Sequence, residues 1–458
     1  MKKLLFALFI AFSNCTLGQI TGIWHTSFVV AGTNNRMDLS IDGVGRDGVL
    51  KISLPDIAEF EPKLIENATI SRESLEFSWE TLGLKYVGKY FSKGDSIQGK
   101  MTQSSLEWNV TFKRNIQELK KIERPQEPKE PFDYQIEELL IANGKFKIGA
   151  TLTLPKNSKN FPIVVLASGS GPQNRNCELM GHKPFWVIAD NLTRNGIAVL
   201  RFDDRGTGKS TASFNESNLN DFASDVEACF KFLRKKYKKN KIGLTGHSEG
   251  GIHTLIAATN LKKVDFIIQL ASVGTNGREV LVEQQYLIPL KNGQTEELAR
   301  WNSAMYDSIT QLLVQTKQKD FVQEVNAFVE RNFDEIPSEL KEQLTKKEFA
   351  KTFIAFFDNT WARGFMNFNA FDYLQKLTCP ILVINGSEDI QVPALKNQEG
   401  FRNGFSEKSK ISSKVVLFPG LNHLFQTCKK CNITEYGDLE ETFSPKVLSE
   451  ITSWIKTL

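Results

Sequence analysis

The sequence predicts a mostly parallel α/β sheet covered by helices on both faces, preceded by a small all-β domain. Three observations carry this. Between Gly22 and Lys113 apolar residues alternate strictly with polar ones. After Phe132, short apolar runs are separated by stretches of helical period. Between these two regimes lies a charged segment with Pro125, Pro128 and Pro131. Period-2 alternation marks half-buried antiparallel strands, whereas apolar runs between helices mark strands buried on both faces.

In the first region Met37, Leu39 and Ile41 alternate with polar neighbours, as do Leu50, Ile52 and Leu54, then Leu75, Phe77 and Trp79. Leu106, Trp108, Val110 and Phe112 repeat the pattern, and Gly43, Gly48 and Gly94 supply turn signals. Residues 20–114 are expected to form a small barrel or sandwich. No titratable cluster stands out there, which favours a stabilising appendage over a docking module. Residues 115–131, rich in Lys, Glu, Arg and Pro, are expected to be a linker.

From residue 132 to 458, strands are expected at Phe146–Leu154, Ile163–Ala167, Ile197–Phe202, Lys241–Thr245, Val264–Leu270, Pro380–Ile384 and Val415–Phe418. A helix is expected over Asp221–Tyr237, with Phe222, Val226, Phe230 and Leu233 on one face. The polar, helix-prone stretch of about 280–360 lacks strand runs and reads as a helical cap inserted over a pocket.

Charge excludes a nucleic-acid partner. Lys plus Arg number 57 and Asp plus Glu 53, a balance of +4, with no dense basic run. At the start, Lys2 and Lys3 precede an apolar run from Leu4 to Phe12, and small residues follow at Thr16 and Gly18. This is the pattern of a signal peptide (residues 1–18) cleaved near Gly18, placing the protein in the periplasm or outside the cell. Asn14, where a small residue precedes a lipidated cysteine, speaks against a lipoprotein site at Cys15. Later apolar runs are too short for an integral membrane span, which needs about 20 residues. Removing Cys15 leaves five of six cysteines, which is no disulfide framework. Cys428-Lys-Lys-Cys431 reads as a local disulfide, half of a metal site, or two free thiols. No second CxxC or CxxH pair completes a zinc site, so no metal or other cofactor is expected.

The chemistry centres on Gly246-His247-Ser248-Glu249-Gly250, between an expected strand and an expected helix. A Gly-x-Ser-x-Gly sequence in that setting forms a tight turn that presents the serine oxygen above the sheet. Serine needs a base, and histidine suits that task near neutrality. Of five histidines, His25 and His182 precede the serine, and His247 and His253 sit in or beside the turn. His423, in a loop after the Val415–Phe418 run, is the candidate base. Asp389, just past the Pro380–Ile384 run, is the candidate acid that orients it, with Glu388 the alternative. Two backbone amides should receive the oxyanion: Glu249, directly after the nucleophile, and Ser170, in the glycine-rich Ser168–Gln173 segment. Each candidate has a plainer counterpart: a structural glycine turn, a surface histidine, a loop carboxylate, an ordinary turn. Gly206-Thr-Gly-Lys-Ser210 lacks the first glycine of a phosphate-binding loop, because Asp203 stands there.

With these residues assembled, the chain from Phe132 onward resembles the α/β-hydrolase superfamily. Within it, the chain is similar to bacterial exported carboxylesterases related to serine aminopeptidases and dipeptidyl-peptidase-type hydrolases. Ser168–Gln173 resembles the family's oxyanion segment, and Phe202–Ser210 its Tyr-Asp-Arg-Arg-Gly block. Gly386–Pro393 and Asn422–Gln426 resemble its acid and base loops. The Gly22-Ile-Trp24 start resembles a β domain fused to such esterases. The resemblance implies a serine hydrolase of short-chain carboxylic esters acting through an acyl-enzyme, with no cofactor and a small ester or short peptide as its partner. A peptidase or thioesterase would use the same groups. A non-catalytic exported binding protein would be expected to carry a damaged Ser-acid-His set, whereas all three members stand here in order.

Overall fold

The computed structural model describes residues 20–30, 33–54, 62–79, 83–103, 106–114, 123–156, 160–341 and 345–458. The expected signal peptide lies outside the described residues. Contacts divide the chain into two units at Lys121/Ile122.

The first unit is one antiparallel sheet of nine strands: β1 (Gly22–Val30), β2 (Thr33–Asp42), β3 (Val49–Ser53), β4 (Lys63–Ile65), β5 (Asn67–Ile70), β6 (Ser74–Trp79), β7 (Leu84–Phe91), β8 (Ser96–Gln103) and β9 (Leu106–Lys113). They are ordered β4-β3-β2-β1-β9-β8-β7-β6-β5. The two edges, β4 and β5, are joined by Glu66 alone, so the sheet curls round until its ends nearly meet. Alternation does what the sequence predicts: Leu50 and Ile52 are buried while Lys51 is exposed, and Leu75, Phe77 and Trp79 all point inward. Trp24, Tyr86 and Phe112 fill the interior.

The second unit carries β10 (Tyr134–Asn143), β11 (Phe146–Pro155), β12 (Ile163–Ala167), β13 (Ala198–Phe202), β14 (Ile242–His247), β15 (Phe266–Leu270), β16 (Ile381–Gly386) and β17 (Lys414–Phe418). Their order is β10-β11-β13-β12-β14-β15-β16-β17; β12 to β17 pair in parallel, and β10 and β11 form an antiparallel edge. Every residue of β12 to β16 is buried, as a sheet covered on both faces requires. Successive residues serve opposite layers. Val164 and Leu166 join a core with Phe185, Ile188 and Trp454, and Ile163 and Val165 join the other with Val226, Leu233 and Leu255.

The helices follow from local signals. α1 (Pro184–Arg194) opens on a proline. α2 (Leu219–Lys236) starts with a capping box, the Asn218 side chain accepting from the Asp221 amide and Asp221 from the Asn218 amide. α3 (Glu249–Asn260) follows β14 directly. Between β15 and β16 the described residues form helices, the longer ones Gly277–Lys291, Glu296–Gln315, Gln318–Asn332 and Lys346–Phe357, closed by Thr360–Asn367. This insertion is pinched at its base: the Gly277 amide donates to the Phe368 carbonyl (3.1 Å) and the Ala370 amide to the Thr275 carbonyl (2.9 Å).

The unit boundary falls inside the segment expected to be a linker. Its described part does not run free. The Arg124 guanidinium donates to the carbonyls of Gly437 and Leu439, and the Gln126 carboxamide bonds Thr442 and Phe443. Residues 123–131 are therefore a strap on the second unit.

Candidate active site

Ser248 stands between β14 and α3 with φ +55° and ψ −125°, a conformation that L-residues rarely adopt. Two glycines make the turn possible. A Cβ on Gly246 would lie 2.3 Å from the Gly250 carbonyl oxygen, and one on Gly250 would lie 2.3 Å from the oxygens of Ala167 and Ser168. The turn is held by the Ser248 amide donating to the Leu270 carbonyl (2.9 Å) and the Gly251 amide donating to the Ser248 carbonyl (3.0 Å).

The structure brings His423 and Asp389 together across 34 residues: Nδ1 of His423 lies 2.8 Å from Oδ2 of Asp389, and both side chains are buried. The other carboxylate oxygen accepts the amides of Gln391 and Val392, each at 2.9 Å. Asp389 is thus held by its own loop as well as by His423. Asn422 fixes the histidine loop in turn, its Oδ1 accepting from the amides of Leu424 (3.0 Å) and Gln426 (2.9 Å). The two loops are laced to each other as well. The Glu388 amide donates to the Leu421 carbonyl (3.0 Å) and the Gly420 amide to Ser387 Oγ (2.9 Å). Glu388, the alternative acid, turns to the surface, 3.9 Å from Lys291.

His247 ties this pair to the serine turn. Its Nε2 donates to the His423 carbonyl (3.0 Å), and the two rings sit 4.8 Å apart. Burial, with His423 beside it, pushes the His247 pKa down to about 3, so the ring stays neutral and serves as a brace. His253 stacks on Phe222 and bonds Glu249. His182 is held by Thr442 and the Tyr436 carbonyl, its pKa lowered to about 4 by burial. His25 pairs with Asp38 in the first unit.

The segment after β12 passes over Ser248: a Cβ on Gly169 would lie 3.1 Å from that of Ser248. Ser170 and Glu249 both line the cavity beside Ser248. The Phe202–Ser210 block anchors this segment. Asp204 accepts from Ser168 Oγ (2.8 Å) and from the Gln173 amide (2.9 Å), while Asp203 grips Arg175. Burial raises the Asp204 pKa to about 7. Neither this anchor nor the contact from cap to turn, Trp361 Nε1 donating to Glu249 Oε1 at 2.7 Å, was assigned from the sequence. The acidic block offered a signal for the first; nothing near Trp361 signals the second.

The cavity measures about 330 Å³. Ser170, Ser248, Glu249 and Gln284 form its polar side, and Val280, Phe356 and Trp361 from the insertion are part of its apolar side. Among the described residues, Cys428, Cys431 and Glu435 are the one grouping with metal-ligand spacing. The two cysteines are joined in a disulfide, and the Glu435 carboxylate accepts the amides of Lys429, Lys430 and Cys431. All three are engaged with one another or with the backbone.

Residues 185–426 match the family described as serine aminopeptidase, S33. A curated relative, Esterase EstD of Thermotoga maritima, is 26% identical over 308 residues, covering 66% of this chain and 64% of the esterase. The match thus spans a little under two thirds of that relative. Among solved structures, Est1E from Butyrivibrio proteoclasticus with ferulic acid bound is 17% identical, covering 70% of this chain and 96% of that one, with a TM-score of 0.40. The Pyrococcus furiosus esterase Pf2001 is 14% identical, covering 71% and 91%, with a TM-score of 0.42.

Proposed function

The chain belongs to the serine aminopeptidase, S33, family of α/β-hydrolases, and from that premise we propose that it hydrolyses carboxylic esters of short acyl chains. Ser248 Oγ attacks the ester carbonyl as His423 takes its proton. The amides of Glu249 and Ser170 receive the oxyanion. Collapse expels the alcohol, which takes the proton from His423, and leaves an acyl-Ser248 ester. Water, deprotonated by His423, then releases the acid.

The observation that carries this reading is the His423–Asp389 pairing in loops braced against the strained Ser248 turn. With Nδ1 committed to the carboxylate, Nε2 is the nitrogen left for proton transfer, and Asp389 stabilises the imidazolium that forms. The name of the curated relative supports esters as the substrate class. Cleavage of aminoacyl or dipeptidyl amides, or of thioesters, needs only a different leaving group. The test is labelling with a fluorophosphonate, lost in Ser248→Ala, followed by rates on p-nitrophenyl esters against aminoacyl-nitroanilides. Labelling that survives Ser248→Ala moves the nucleophile elsewhere, and no labelling at all leaves the non-catalytic binding protein; either result rejects the mechanism.

Export to the periplasm or the medium is part of the proposal. Lys2, Lys3 and the apolar run after them support it, and a disulfide at Cys428–Cys431 suits an oxidising compartment. No helix among the described residues is long and apolar enough to cross a membrane. N-terminal sequencing of the exported protein should begin near Gln19; a chain that retains Met1 inside the cell overturns export.

A further inference from the structure

Trp361 carries the helical insertion onto the serine turn. Its indole Nε1 donates to Oε1 of Glu249 (2.7 Å), the residue directly after Ser248. The same oxygen lies 3.2 Å from His253 Nε2, one turn further along α3. Glu249 is 4% exposed, so a buried side chain is gripped by the cap on one side and by its own helix on the other. Trp361 is itself firmly seated. Its ring stacks on Phe365, with centroids 5.6 Å apart, and meets Phe356 edge-on at 6.1 Å. Two residues on, Arg363 donates to the Gln318 side chain (2.9 Å) and the Thr316 carbonyl (2.7 Å), which ties the Thr360–Asn367 helix to the rest of the insertion.

The contact matters because of the Glu249 backbone. Its amide is one of the two proposed oxyanion donors, and such a donor must sit about 2.7–3.1 Å from the charge that develops. The plane of that amide is set by the Ser248 ψ of −125°, in a turn of a conformation that L-residues rarely adopt. Conformations of this kind persist only where the surroundings over-determine them. The Ser248 amide, bonded to the Leu270 carbonyl at 2.9 Å, holds the turn to the sheet. The Trp361 indole holds it to the cap.

We propose that Trp361 is a positioning residue whose indole N–H, acting through the Glu249 side chain, holds the Glu249 amide in line with the oxyanion and so makes a seated cap a condition of catalysis. This rests on the hydrolase reading above. Formation and hydrolysis of the acyl-Ser248 ester both pass through an oxyanion, so the effect falls on kcat whichever step limits the rate. Trp361 also lines the cavity beside Ser248. A ring that served only as a wall would act on binding, and more so the further the acyl chain reaches along it. The two roles therefore separate in measurement.

The experiment measures kcat and KM of the full chain on p-nitrophenyl acetate, butyrate and hexanoate. Trp361→Phe keeps an aromatic wall and removes the N–H. It should lower kcat about tenfold, by one common factor on all the esters, with KM within about twofold of the wild type. Glu249→Leu removes the acceptor and should lower kcat by a comparable factor. In that background Trp361→Phe should change kcat by less than about twofold, because the contact is already gone. Thermal unfolding shows whether each variant folds, and either single variant tests the contact should the other fail. An unchanged kcat in either single variant, a change confined to KM or growing with acyl length, or losses that multiply in full in the double variant overturn the assignment. Fluorophosphonate labelling and turnover of the wild type are read alongside. With both present, an unaffected kcat removes only the role of Trp361, whereas no labelling and no turnover removes the hydrolase reading and this inference with it.

Discussion

The two units treat buried polar groups in opposite ways. In the first, Thr26 and Ser96 are the polar side chains buried among the described residues, and the core is apolar, with Trp24, Phe77, Tyr86 and Phe112 among its members. In the second, Ser168, Asp203, Asp204, His247, Glu249, Asp389, Asn422 and His423 are all buried, and they gather at or just past the C-terminal ends of the parallel strands. Dehydrating such groups is unfavourable unless each finds a partner. The first unit therefore reads as a scaffold and the second as the place where chemistry is held ready.

The sharpest way to break this contrast is at the proposed nucleophile. Ser248→Ala should lower ester hydrolysis by about 10⁶-fold, measured as kcat, with thermal unfolding unchanged. A loss of less than about tenfold would move the chemistry elsewhere. Next, Asp389→Asn should lower kcat by about 10⁴-fold while the protein remains folded, because an amide no longer selects the tautomer that leaves Nε2 free. In the first unit, Phe77→Ala should cost about 3–5 kcal/mol of stability in denaturant unfolding of that unit. Fluorophosphonate labelling of Ser248 should persist in Phe77→Ala; if labelling disappears, the first unit is no mere scaffold.

The smallest effect concerns Asp204. Its carboxyl is raised to about 7 by burial and titrates near its ordinary value of about 4 when unfolded. Between those values the native state holds a proton that the unfolded chain has released. The contribution to stability is therefore full below about pH 4 and lost as pH rises through 7. Denaturation midpoints measured across that window should decline more steeply in the wild type than in Asp204→Asn. Parallel curves would show that Asp204 does not carry the dependence.

Much of this was legible in the sequence, for physical reasons. Strands buried on both faces must be apolar throughout, so β12 to β16 announce themselves, and the Ser248 turn admits only glycine at 246 and 250. The edge strand β10 carries no such signal, because its residues are partly exposed and follow neither period. The proline-rich segment looked like a spacer because its composition is solvated, yet Arg124 and Gln126 find carbonyl and amide partners more than 300 residues away. Contacts of that kind leave no local trace. The same holds for Trp361 on Glu249, 112 residues apart, whereas the acidic pair Asp203–Asp204 does mark the anchor under Ser168.

The pinched base of the helical insertion has an evolutionary consequence. Because Thr275–Gly277 and Phe368–Ala370 are hydrogen-bonded to each other, everything between them leaves and rejoins the sheet at one point. Lengthening a loop whose ends already meet raises its closure entropy only logarithmically. The insertion is thus a cassette, free to be exchanged or remodelled by mutation. Its replacement would redraw the walls around Ser248 while the serine turn and the Asp389 and His423 loops keep their own anchors, and new substrates would reach an old reaction.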